Sequence, residues 1–136
     1  MSFTLSPQLD KDCYHMGRQG AIQILLNRNA LFPWFILVPE CDVTEFYLLS
    51  ATDQSELVSL INSLSVFINT HFTVNKLNIA TIGNVVSQMH IHVVGRNRTD
   101  PCWPGVVWGT KHFAPYRNED VDIIRQQLID QQICSL

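Results

Sequence analysis

Apolar and polar side chains alternate along residues 88–94, which read Gln-Met-His-Ile-His-Val-Val. A β-strand points successive side chains to opposite faces, so this pattern predicts a strand, which we place at residues 85–94. Three polar side chains then share one face: Gln88, His90 and His92. Imidazole and amide groups are costly to bury without hydrogen bonds. We therefore expect this polar row to have protein partners, a ligand or water.

Two earlier alternating runs, residues 21–27 and 34–38, are separated by a turn and predict an antiparallel hairpin. Asn27 and Asn29 lie at its tip. Asn tolerates left-handed backbone conformations, so both residues have a purely structural explanation as turn formers. A further strand is predicted at residues 76–82.

Apolar residues at helical spacing predict one long helix from about residue 51 to 72, with Ser50 at its start. The turn Gly83-Asn84 is predicted to join the strand before it tightly to the histidine strand. Shorter helices are expected at about residues 7–16, ended by Gly17, and from Asn118 or Glu119 onward. The order β–β–α–β–β–α predicts an α+β fold with a mostly antiparallel sheet, in one domain spanning residues 1–136.

Composition narrows the function classes. The formal net charge is −3, which offers no electrostatic footprint for nucleic acid or an anionic membrane. No apolar run approaches the roughly 20 residues that span a bilayer. Its four cysteines are far apart without a C-x-x-C pair, which argues against a zinc ribbon. We expect a cytoplasmic protein with reduced cysteines. Its 46% hydrophobic content also suggests a subunit interface.

The His-x-His row has three physical interpretations. Both rings could be satisfied structural histidines. Alternatively, they could bind a metal ion together with a third ligand, His112 or Cys102. Finally, one imidazole could attack phosphorus as a nucleophile, with its second nitrogen donating to a fixed acceptor such as a backbone carbonyl. Spacing alone does not separate these interpretations.

Residues 83–96, Gly-Asn-Val-Val-Ser-Gln-Met-His-Ile-His-Val-Val-Gly-Arg, resemble the signature of the histidine triad (HIT) family. The hairpin block, Leu-Leu-Asn-Arg at 25–28 and Phe-Pro-Trp-Phe-Ile-Leu-Val-Pro at 32–39, resembles the family's other conserved block. Together they cover about residues 20–96. The segment 100–109 is similar to a bacterial subgroup that has Gln in place of the first triad histidine.

This resemblance implies a HIT-like fold that hydrolyses or transfers a small nucleotide without cofactor or metal, and a homodimer. His90 would attack the α-phosphorus, and His92 would orient and tune its ring. Gln88 occupies the first triad position. The implied substrate contacts are Leu25 at the base, Asn27 at the ribose, and Thr81, Gly83 and Asn84 near the phosphates. Two alternatives stay open: a metal-dependent hydrolase using His90, His92 and His112, and a nucleotide-binding module with little turnover.

Three positions depart from the family pattern. Gln88 can form hydrogen bonds but cannot carry a proton. Phe35, after Trp34, stands where many members have a histidine, and Val85 stands where many use Ser or Thr to contact a phosphate oxygen. We therefore expect slow turnover, with nucleotide binding better preserved than catalysis.

Overall fold

The computed structural model describes residues 2–136, which contain five β-strands and three α-helices. In chain order the elements are α1 (Pro7–Asp12), β1 (Cys13–Gln19), β2 (Ile22–Asn27), β3 (Trp34–Pro39), a 3₁₀ turn (Phe46–Leu48), α2 (Ala51–His71), β4 (Lys76–Ala80), β5 (Ile91–Arg96) and α3 (Asn118–Asp130). All strand pairs are antiparallel, and the sheet order is β1-β2-β3-β5-β4. The predicted α+β fold, with one long helix and a C-terminal helix, is confirmed.

The long helix α2 covers one face of the sheet. It starts at Ser50, whose hydroxyl oxygen accepts a hydrogen bond of 3.0 Å from the backbone N–H of Asp53 and so satisfies one of the free donors of the first turn. Its apolar side packs with α3 and the inward residues of the sheet into one core. The buried residues of α2 are Leu57, Leu60, Leu64, Phe67 and Ile68.

Gly95 allows α2 to lie close to β5. A Cβ atom at this position would come within 2.7 Å of Pro33 and Val74 and 2.8 Å of Ile68. Such contacts are shorter than packed carbon atoms tolerate, so the close approach needs a residue without a side chain.

The opposite face of the sheet carries a second apolar cluster, which includes Leu25, Trp34, Ile36 and Val94. Two parts of the chain outside the sheet cover it. One is the N-terminal segment, residues 2–12, which contributes Phe3, Leu5 and Leu9, and the other contributes Cys102, Val107 and Trp108. His92 belongs to this face, because β-strand side chains alternate and Ile91 and Val93 belong to the α2 core.

A buried ion pair anchors the covering segment at its start. Nε and Nη2 of Arg96 donate to the carboxylate of Asp100 at 2.8 and 3.0 Å, and Nη1 donates to Asn78 at 2.9 Å. Both side chains of the pair are almost wholly inaccessible. Burial alone would raise the pKa of Asp100, but hydrogen bonds from Arg96 and from backbone N–H groups outweigh it and hold that pKa below its usual value.

Four predicted elements need correction. The first helix ends at Asp12, not near residue 16, and the next seven residues form strand β1, which the pattern did not predict. Gly17 lies in that strand at a register shift, with φ of 141°. The histidine strand starts at Ile91, so residues 85–90 are not part of it, and β4 ends at Ala80. Ten residues therefore join β4 to β5, where a tight turn at Gly83-Asn84 was expected.

The predicted hairpin and the two larger helices are confirmed in position. Within residues 2–136, no helix combines the length and the hydropathy that a membrane crossing requires.

Candidate active site

His92 is the one triad residue that lies within a strand. Its neighbours across the sheet are Ile36 on β3 and Ala80 on β4. The ring is 7% exposed and lies between two indoles, with centroid distances of 5.9 Å to Trp34 and 5.3 Å to Trp108. His92 is therefore held in a largely apolar, aromatic environment.

One hydrogen bond determines where His92 carries its proton. Nε1–H of Trp34 donates to Nδ1 of His92 at 3.0 Å. An indole nitrogen can only donate, so Nδ1 has a free electron pair and the neutral ring has its proton on Nε2. Burial, and then the neighbouring His90, lower the pKa of His92 from 6.5 to about 4. The ring is therefore neutral at physiological pH.

His90 lies immediately before β5 and is 5% exposed. Its Nδ1 is 2.7 Å from the backbone carbonyl oxygen of Gln88. A carbonyl oxygen can only accept, so Nδ1 carries a proton, and in the neutral ring Nε2 has the free electron pair. The hydroxyl of Thr81 donates to the carbonyl oxygen of His90 at 2.9 Å, which fixes the backbone on the other side.

The two rings are adjacent but protonated on opposite nitrogens. Their centroids are 5.0 Å apart, with an interplanar angle of 68°. His90 presents a lone pair at Nε2, whereas His92 presents an N–H there. The expected backbone acceptor for a nucleophilic ring is present, and it belongs to Gln88, not to His92.

The side chain of Gln88 forms hydrogen bonds with the N-terminal segment. Its Oε1 accepts from the backbone N–H of Ser6 at 2.8 Å, and its Nε2 donates to the carbonyl oxygen of Thr4 at 2.9 Å. The amide thus binds an extended backbone at both of its ends. The expectation that Gln88 shares a strand face with the histidines is wrong, because its backbone lies outside β5.

A small pocket of about 130 Å³ adjoins His90. Three other predicted site residues line it: Thr81, Gly83 and Gln88. Glu45 contributes the one carboxyl group among the residues that line this pocket. Its volume suits a phosphoryl group better than a whole nucleotide, since drug-sized ligands occupy about 300 Å³ or more. Another cavity, of about 740 Å³, lies between α2 and the β1–β2 turn and shares no residue with this pocket.

The other predicted substrate contacts do not line the pocket. Leu25 is wholly buried in the second apolar cluster. The side-chain oxygen of Asn27 accepts from the backbone N–H of Asn29 at 2.9 Å, a hydrogen bond that stabilises the hairpin turn. Asn84 is exposed outside the pocket. Their proposed roles in binding stay predictions.

The structure does not assemble the metal site of the alternative interpretation. Within residues 2–136, no three His, Cys, Asp or Glu side chains are grouped so that they could hold a metal ion. His112 uses its backbone carbonyl to accept from Asn29, and Sγ of Cys102 donates to the hydroxyl of Thr110. His112 therefore does not complete a three-histidine set with His90 and His92.

Comparison with known proteins decides the family. A model of the HIT domain matches residues 9–99 of this chain. The chain belongs to the histidine triad family. HIT proteins are in general nucleotide-binding proteins, and many are hydrolases or transferases. No curated protein matches the sequence significantly.

Solved structures of HIT proteins agree over almost the whole chain. A histidine triad protein from Sinorhizobium meliloti 1021 is 33% identical, covers 96% of this chain and 97% of its own, and gives a TM-score of 0.90. One from Bradyrhizobium japonicum is 29% identical, with coverages of 96% and 98% and a TM-score of 0.91. One from Marinobacter aquaeolei VT8 is 33% identical, with coverages of 95% and 95% and a TM-score of 0.88.

One of the three departures from the HIT pattern, Phe35, lies away from the histidines. Phe35 packs in the α2 core, with ring centroids 6.2 Å from Phe67 and 6.5 Å from Phe72, so it lies on the far side of the sheet from His92. The residue on the histidine side is Trp34. Val85 is 94% exposed and presents its methyl groups to solvent.

The sequence analysis missed three parts of this HIT site: Trp34, the N-terminal segment and Trp108. Alternation along β3 could have placed Trp34 opposite Phe35, but its contact with His92 requires the pairing of β3 with β5. Neither the N-terminal segment nor Trp108 carries a sequence signal that points to the histidines. The N-terminal segment contacts Gln88 through Thr4 and Ser6, and Trp108 contacts His92. These contacts come from chain outside the helices and strands.

Proposed function

We propose that this HIT protein hydrolyses or transfers small nucleotides through a covalent nucleotidyl-histidine at His90. The hydrogen bond from Nδ1 of His90 to the carbonyl of Gln88 carries the proposal, because it leaves a lone pair on Nε2. Within residues 2–136, no residue forms a hydrogen bond with Nε2 of His90. This nitrogen is also not fully buried, so solvent reaches it. The lone pair is thus open to a ligand.

The reaction has two displacement steps. Nε2 of His90 attacks the α-phosphorus, an N–P bond forms, and the bond to the leaving group breaks with its electron pair going to that group. The ring becomes cationic, and the Gln88 carbonyl stabilises it by accepting from Nδ1–H. Water, or an acceptor alcohol, then attacks phosphorus. The N–P pair returns to His90, and the attacking oxygen loses its proton to solvent.

The proposed substrate contacts are supported either by the pocket beside His90 or by the family resemblance. Gly83 and Thr81 line the pocket beside His90, which supports roles near the phosphates. Thr81 acts on His90 as well, because its hydroxyl proton is already donated to the carbonyl of that residue. The proposed roles of Leu25, Asn27 and Asn84 rest on the family resemblance alone.

The proposed assembly is a homodimer, and the proposed partner is a small nucleotide without a metal ion. Exposed apolar side chains on and after the edge strand β4, Ile79 and Ile82, support an interface there. The subgroup with Gln at the first triad position is likewise a proposal, based on Gln88 and the 100–109 segment.

Replacing His90 tests the mechanism. His90→Asn should lower hydrolysis of dinucleoside polyphosphates and adenylates by several orders of magnitude, because the covalent nucleophile is lost. The matched control is His15→Asn, since His15 is exposed and pairs only with Asp10. Steady-state kinetics and nucleotide binding should be measured on both.

Undiminished hydrolysis by His90→Asn on every substrate that the wild type cleaves would refute the assignment. A wild type that binds nucleotide but hydrolyses none of these compounds would favour the binding module instead. The state of Gln88 favours this binding-module candidate. Its amide forms hydrogen bonds with the backbone of Ser6 and Thr4, and an amide cannot relay a proton.

A further inference from the structure

The side chains near His90 are poor proton donors to a departing group. Thr44, Thr81 and Ser87 line the pocket with hydroxyls, which are very weak acids. Gln88 is an amide with both ends engaged by Thr4 and Ser6. Glu45 is an exposed side chain at the pocket, and a carboxylate accepts hydrogen bonds without donating. His92 is the remaining group, and its state depends on Trp34.

Trp34 removes His92 from acid catalysis by occupying Nδ1. The indole N–H can donate only to a nitrogen with a free electron pair, so it stabilises the neutral ring and opposes protonation at that atom. Burial between Trp34 and Trp108 acts in the same direction, and the pKa of about 4 reflects it.

We propose that Trp34 is a positioning residue that holds His92 as a neutral ring with its proton on Nε2, and that the site therefore takes nucleotides whose leaving group departs as an acidic oxygen anion. Phosphates and carboxylates are such groups, whereas amines and alkyl alcohols need a proton as they leave. This inference rests on the proposed covalent mechanism at His90.

The N–H on Nε2 gives His92 a role as a hydrogen-bond donor. Nε2 of His92 has no hydrogen-bond partner among residues 2–136. This nitrogen is not fully buried, so it is open to a ligand or water. His92 does not line the pocket at His90, but the two ring centroids are 5.0 Å apart, so a leaving group on a nucleotide held at Nε2 of His90 can extend toward His92. A neutral donor there stabilises negative oxygen in the transition state without giving up its proton.

The tautomer can be measured without any substrate. Nitrogen-15 NMR of the two histidines at neutral pH should show His92 with an unprotonated Nδ1 and a protonated Nε2, and His90 with the reverse. Trp34→Phe keeps an aromatic ring but removes the donor, so His92 should lose its single-tautomer signature. The matched control is Trp108→Phe, because Trp108 touches the same ring but its Nε1 has no partner within the described chain.

A protonated Nδ1 on wild-type His92 would overturn the role of Trp34, and so would an unchanged tautomer in Trp34→Phe. If that variant does not fold, the wild-type spectrum still decides the question.

Leaving-group selectivity is tested with aryl esters of adenosine 5′-monophosphate that differ only in the acidity of the phenol, together with the morpholidate as an amine case. The value of kcat/KM should rise steeply as the phenol becomes more acidic, and the morpholidate should be cleaved at least about 100-fold more slowly than the most acidic ester. Glu45→Gln should leave this dependence unchanged.

A flat dependence, or rapid cleavage of the morpholidate, would overturn the selectivity while leaving the covalent mechanism intact. A wild type that cleaves none of the esters would overturn the proposed function and the selectivity together. The NMR result would still stand for the role of Trp34.

Discussion

Acidification should destabilise the fold through His92. Burial and the adjacent His90 lower the pKa of this ring to about 4, against 6.5 for an unperturbed histidine. Between those two values the unfolded chain binds a proton that the native state does not, so the free energy of unfolding falls as the pH falls. The stabilising effect is complete above about pH 6.5 and is lost as the pH approaches 4.

The magnitude follows from the size of the shift. One pKa unit corresponds to about 1.4 kcal/mol, so a shift from 6.5 to about 4 corresponds to about 3 kcal/mol. This is a large part of the ~5–15 kcal/mol that a domain of this size commonly has.

Urea denaturation of the wild type and of His92→Asn, at several values from about pH 7 to about pH 4, measures this contribution. Asn does not titrate, and its amide oxygen can still accept from Trp34, so the variant serves as its own control for the hydrogen bond. The wild type should lose about 3 kcal/mol more than the variant over this range. Parallel curves would show that His92 takes up its proton over the same pH range in the native and unfolded states, and they would refute the reasoning about its burial.

Two further predictions concern the contacts that hold irregular chain in place. Gln88→Ala removes both hydrogen bonds to the N-terminal segment, so it should cost about 1–3 kcal/mol in urea and abolish hydrogen-exchange protection of the Ser6 amide; full protection in the variant would contradict it. Asp100→Ala leaves buried Arg96 without its carboxylate and should cost about 3–5 kcal/mol, whereas removing Asp10 from its exposed pair with His15 should cost under about 1 kcal/mol; equal effects would contradict the burial of the Arg96 pair.

Periodicity predicted the parts of the fold whose apolar faces are regular. The apolar positions of α2 recur at helical spacing and end at a buried Phe67–Ile68 pair, so the helix could be placed closely from sequence. Strand β1 could not, because it is an edge strand interrupted at Gly17 and carries exposed His15, Arg18 and Gln19. On the edge of β1 that faces away from β2, Arg18 pairs with Ser135 near the C-terminus. Nothing in the sequence around either residue predicts this pairing.

At the site, the geometry differs from the strand alternation that the sequence predicts. Alternation suggested one polar row, but the backbone leaves the strand before His90, and the carbonyl of Gln88 turns toward that ring. The side chain of Gln88 is occupied by Thr4 and Ser6, more than 80 residues earlier in the chain. Such contacts depend on where distant irregular segments pack, and residue spacing does not contain that information.

Trapping the covalent intermediate tests the central claim most directly. The protein is mixed with an α-phosphate-labelled adenylate for less than one turnover, quenched in base, digested and mapped by mass spectrometry. The account predicts a nucleotidyl group on the peptide that contains His90, lost on mild acid treatment as expected for an N–P bond and absent from His90→Asn. Hydrolysis in the same time without any adduct, or an adduct on another residue, would contradict it.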